Sequence, residues 1–108
     1  MKLEALSIIG AQRGQPGGKA FSAVNPADGK TLPGEFYSAT AAEITAATQL
    51  AAEAFGEFSQ WAGSQRAALL NRIAELLEAN AAAIVERGHL ETALPLARLQ
   101  GELARTCF

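Results

Sequence analysis

A few short strands joined by turns, then a run of about four helices: this is the architecture the sequence predicts, and three observations predict it. From Met1 to Ser38 the apolar residues keep no helical period, and turn formers interrupt them at Gly10, Gly14, Pro16, Gly17, Gly18, Pro26, Asp28, Gly29, Pro33 and Gly34. At Thr40 the composition turns alanine-rich and helical. From Ser64 to Asn80, Leu69, Leu70, Ile73, Leu76 and Leu77 recur at the three-and-four spacing that stacks side chains on one face of a helix.

In chain order, strands are expected near Ala5 to Ile9, Ala20 to Val24 and Glu35 to Tyr37, with Gln12 to Gly18 as a hairpin loop. Asn25-Pro-Ala-Asp-Gly-Lys30 reads as a turn. Pro26 fixes its own φ, Asp28 can bond its own backbone, and Gly29 accepts positive φ. Thr40-Ala-Ala-Glu43 is a capping box, so a helix starts there and runs to about Phe58 on the spacing of Ile44, Ala47, Ala51, Ala54, Phe55 and Phe58. Trp61 lies on the linker to Gly63.

The next helix is the strongest in the chain. Ser64 is expected to cap it, and Gln65, Arg66, Asn71, Arg72, Glu75 and Glu78 fall off its apolar face. Full burial of its five large side chains would supply roughly 8 to 15 kcal/mol before ordering costs, so this face requires a partner. A break is expected at Asn80, after which the helical pattern continues toward Thr92. Pro95 suits the first turn of a fourth helix, in which Leu96, Leu99, Leu103 and Cys107 form a stripe. Phe108 follows with no Gly, Asn or Pro stop signal, the pattern expected of a truncated domain.

The 108 residues allow one domain at most, and 49% hydrophobic content suits a globular protein. A net charge of −2, from 11 acidic and 9 basic residues, offers no basic stripe for nucleic acid or an anionic membrane. No apolar run approaches the roughly 20 residues of a membrane span. Glu4 and Ser7 interrupt the start, so no signal-peptide core is present and a cytoplasmic location is expected. One cysteine cannot form an internal disulfide, in keeping with a reducing compartment.

The order and spacing of several short motifs resemble the extreme N-terminal part of the NAD(P)-dependent aldehyde dehydrogenases. They are Asn25-Pro26 with Gly29 between strands, Ala54-Phe55 and Trp61 ending the first helix, Arg66 opening the second, and Ile73-Ala-Glu-Leu-Leu77. Glu91-Thr92, Pro95-Leu96-Ala97 and Gly101-Glu102 continue the series, so the resemblance covers roughly residues 7 to 108. It implies an α/β parent fold of Rossmann type. Residues 1–39 would then be an N-terminal β-strand and hairpin segment, and residues 40–108 the helical part of an incomplete dinucleotide-binding domain. Where the family commonly reads Glu-Thr-Gly-Lys-Pro, this chain reads Glu91-Thr92-Ala93-Leu94-Pro95. The lysine-less form resembles members acting on 2-oxoglutarate semialdehyde (2,5-dioxopentanoate). Ala93 also disfavours a positive φ in the turn before Pro95.

The resemblance implies a complete enzyme in which a cysteine thiolate attacks an aldehyde, hydride passes to the nicotinamide of NAD or NADP, and a glutamate-activated water releases the acid. That enzyme would be a homo-oligomer. None of its catalytic or cofactor-binding motifs is present in this chain, so no catalytic, cofactor-binding or metal residue is assigned and no cofactor is expected on the chain alone. Cys107 lies on an apolar stripe beside Phe108, a setting that leaves a thiol inert, and the family's catalytic cysteine belongs to a different, glycine-flanked motif. His89 has no second histidine or cysteine partner for a metal, and Glu91 has no nucleophile or like-charged neighbour. The glycines of Gly14-Gln-Pro-Gly-Gly18 match neither phosphate-loop spacing and read as a turn. Arg66, Arg72, Arg87, Arg98 and Arg105 are interleaved with glutamates and read as solvated faces, with Glu102 at helical spacing from both Arg98 and Arg105.

Two functional expectations follow. The chain is the N-terminal segment of a cytoplasmic aldehyde dehydrogenase, inactive alone, whose partners are the remainder of that chain or other subunits. Alternatively it is a noncatalytic helical module that docks on a full-length dehydrogenase subunit.

Overall fold

The computed structural model describes residues 3–108 and contains four two-residue strands and four helices among them: β1 (Ile8–Ile9), β2 (Gln12–Arg13), β3 (Ala20–Phe21), β4 (Phe36–Tyr37), α1 (Ala41–Phe58), α2 (Gly63–Ala79), α3 (Ala81–Thr92) and α4 (Leu96–Cys107). They form two compact units. One comprises residues 3–23 and 33–61; the other comprises 24–32 and 62–108.

The first unit holds both hairpins and α1. β1 and β2 pair antiparallel, Ile8 with Arg13 and Ile9 with Gln12, so the turn is Gly10-Ala11 and Gly10 takes φ +59°. A tight hairpin needs positive φ at its first turn residue, and glycine supplies it without a steric penalty. The expected loop from Gln12 to Gly18 therefore begins with a strand, and the expected first strand from Ala5 shortens to Ile8–Ile9. Gly14 N–H returns to the Ser7 carbonyl at 2.8 Å, closing the hairpin one step beyond the ladder. β3 pairs with β4 across a long connection, Ala20 with Tyr37 and Phe21 with Phe36, and the two phenylalanine rings stack at 5.6 Å. Gly18 lies where a Cβ would stand 1.8 Å from the Ser38 carbonyl oxygen.

α1 starts as expected. Thr40 N–H donates to Glu43 Oε2 at 2.8 Å and Glu43 N–H donates to Thr40 Oγ1 at 3.2 Å, the reciprocal pair of a capping box. At its other end the Phe58 and Trp61 rings meet at 5.1 Å.

The second unit is a three-helix cluster with one turn. Within Asn25-Pro-Ala-Asp-Gly-Lys30, Asp28 Oδ1 accepts from Lys30 N–H at 3.0 Å and Gly29 takes φ +74°, as the residue types dictate. Asn25 adds a second side-chain turn by accepting from Ala27 N–H at 2.9 Å, and the Val24–Thr31 bridge closes the loop. α4 packs against both α2 and α3, and Val85 of α3, 6% exposed, is the one buried large apolar residue among those described.

Ser64 does not cap α2. The cap position is Ala62, whose backbone N–H is satisfied by Gln65 Oε1 reaching back at 2.8 Å, and Ser64 lies inside the first turn. The chain breaks at Asn80, whose φ of −106° and ψ of 10° leave the helical region between α2 and α3. α3 ends on Ala93 in the left-handed conformation at φ 57° and ψ 12°, the only described non-glycine residue with positive φ. Pro95, expected in the first turn of α4, occupies its cap immediately before that turn, with the Arg98 and Leu99 N–H groups donating to its carbonyl.

The apolar stripe of α2 is only partly covered. Leu69, Leu70, Ile73 and Leu76 are 40%, 65%, 46% and 47% exposed, and only Leu77 is half-buried. About half of the burial energy available to this face is therefore unrealised in the chain by itself.

Candidate functional site

The residues that carry chemistry stand apart, each held by a structural bond. On α3, His89 Nδ1 lies 2.7 Å from the Leu94 carbonyl oxygen. A carbonyl only accepts, so this nitrogen carries the proton and the imidazole fastens the α3–α4 joint. Thr92 tightens the same joint: Oγ1 donates to the Gly88 carbonyl at 2.6 Å and accepts from Leu94 N–H at 3.2 Å. Glu91 is paired one helical turn back with Arg87 through Oε1 and Nε. That guanidinium offsets the unfavourable placement of a carboxylate at a helix C-terminus.

Cys107 sits half-buried at the end of α4, and its thiol points to the Ala74 carbonyl of α2 at 3.8 Å. The weak S–H donor meets a backbone acceptor, a packing arrangement. Arg72 pairs with Glu75 at 2.9 Å and Arg98 with Glu102 at 3.0 Å, so Glu102 takes Arg98 rather than Arg105. Both pairs are exposed and contribute little. Arg66 lies within the first turns of α2. None of these contacts joins Cys107, His89 and Glu91 as a nucleophile, a base and its orienter. No cluster of three or more metal-binding side chains occurs among the described residues, and no described helix is long and apolar enough to cross a membrane.

Glu43 has the most worked environment of any carboxylate in the chain. Beyond the capping box, its Oε1 accepts from Gln15 N–H at 2.7 Å, which ties the loop after β2 to the start of α1. The Thr40 backbone N–H first, and the Gln15 N–H second, hold its carboxyl below the ordinary glutamate range, against a smaller opposing effect of burial. A Cβ on Gly14 would stand 2.4 Å from Oε1, so the bare backbone at Gly14 is what lets the carboxylate approach. The capping box is legible in the sequence; the reach to Gln15 is not, because it depends on the hairpin's placement. The glycines of residues 14–18 thus serve close backbone approach at Gly14 and Gly18, and no helix N-terminus for a phosphate follows them. Tyr37 O–H donates to Glu35 Oε2, and this bond to the carboxylate holds the phenol proton above its ordinary range.

An apolar groove of about 700 Å³ lies between α3 and α4. Ala82, Val85, Leu96, Leu103 and Cys107 line it together with Glu78 and Glu86. Together with the α2 stripe, it makes the three-helix unit a surface built for apolar contact.

The model of the aldehyde dehydrogenase family matches residues 13–107. Alpha-ketoglutaric semialdehyde dehydrogenase 2 of Azospirillum brasilense is 36% identical over 107 residues, covering 98% of this chain and 20% of that protein. Alpha-ketoglutaric semialdehyde dehydrogenase of Acinetobacter baylyi is 34% identical over 98 residues, covering 91% of this chain and 19% of its own length. The chain thus spans about a fifth of the length of the curated relatives it matches.

Proposed function

The chain belongs to the aldehyde dehydrogenase family, and from that premise we propose that it is the N-terminal segment of an NAD(P)-dependent enzyme that oxidises an aldehyde to a carboxylic acid. Its role there is architectural: it supplies short strands and outer helices to the dinucleotide-binding domain and no group to the reaction. The observation that carries this reading is the half-exposed apolar face of α2, which a dehydrogenase of about five times the matched length has the polypeptide to cover. The aldehyde we infer is α-ketoglutaric semialdehyde. Support for it comes from the names of the two relatives and from Leu94, which stands where the family commonly has lysine. The complete enzyme on this reading is a cytoplasmic homo-oligomer that binds NAD or NADP through residues outside this chain.

The test exchanges the matching fifth of the Azospirillum brasilense dehydrogenase for this chain. A hybrid that reduces NAD(P) with α-ketoglutaric semialdehyde supports the reading. A hybrid that reaches the parent's oligomeric size and melts cooperatively, yet leaves the cofactor oxidised, refutes it.

The same exposure favours a second reading, in which the chain docks as a noncatalytic module on a full-length dehydrogenase subunit. A pull-down from the native cells that recovers no dehydrogenase subunit would eliminate it.

A further inference from the structure

We draw no further inference here: the strongest candidate, the apolar groove between α3 and α4 with Val85, Glu78 and Glu86 in its lining, is an unpartnered face, and nothing in the structure shows what covers it.

Discussion

Ala93 holds a left-handed backbone at φ 57° with a Cβ in place, and its N–H still donates to the His89 carbonyl at 2.8 Å to close α3. The sequence contains the conflict, since alanine tolerates this region poorly. The structure resolves it in favour of the turn, because His89 and Thr92 both fasten Leu94 just beyond it. Ala93→Gly removes the steric penalty while adding freedom to the unfolded chain. The net effect expected is a gain of about 1 kcal/mol, read as a higher urea midpoint at unchanged slope.

Glu43 gives a pH dependence whose sign follows from its bonds. Its carboxyl is held below the ordinary glutamate range when folded, so the unfolded chain binds protons more readily in acid. The stability it contributes is present above the ordinary glutamate value and is lost as the pH falls through the lowered one. Glu43→Gln is expected to flatten the acid limb of a stability-versus-pH curve measured by urea denaturation. An unchanged acid limb would show that the bonds to Thr40 and Gln15 carry no charge-dependent stability.

Among the elements, the helices were readable and so were the sites of β1, β3 and β4, each a shorter strand inside its expected range, whereas β2 was not, for a physical reason. α1 and the break at Asn80 are written in local signals, a capping box and a polar residue between apolar runs, and both appear where those signals place them. The strands are two residues each and owe their registers to turns and to backbone approach. Gln12-Arg13 carries no alternation that would mark a strand; Gly10 makes it one by turning the chain back. The Ser64 cap failed because the helix starts two residues earlier, at a cap position on Ala62 whose N–H Gln65 satisfies. Two glycines separate these influences. At Gly18 a Cβ meets a backbone oxygen that cannot swing away, so Gly18→Ala is expected to cost about 3 kcal/mol, the upper end of overpacking penalties. At Gly56, inside α1, no atom lies within 4 Å of a new Cβ, so Gly56→Ala is expected to stabilise by about 0.5 to 1 kcal/mol. Paired thermal melts of the two variants check both signs.

For the whole molecule, the central fact is how little apolar surface is buried: Val85 alone among the described large apolar residues is buried, while leucines, isoleucines and phenylalanines on α1 and α2 stay partly open. The periodicity of α2 announced a face in need of a partner, and α4 supplies only part of one, leaving Leu69, Leu70, Ile73 and Leu76 40–65% exposed. The candidate site was legible in the same limited sense. Cys107, His89 and Glu91 each invite a catalytic reading alone, and their observed partners, a backbone carbonyl, another carbonyl and an arginine, give each a structural use. The isolated chain is therefore expected to produce no NAD(P)H with α-ketoglutaric semialdehyde. If it did, and Cys107→Ser abolished the signal, the packing role assigned to that thiol would be wrong.

The most direct test of the architectural role is the intact mass of the native polypeptide, detected in its own cells with an antibody against residues 12–18. The account predicts a species several times heavier than 11.3 kDa, in which the rest of a dehydrogenase covers the open face of α2. A species of 11.3 kDa alone would contradict it and leave a free-standing chain whose apolar surface serves another partner.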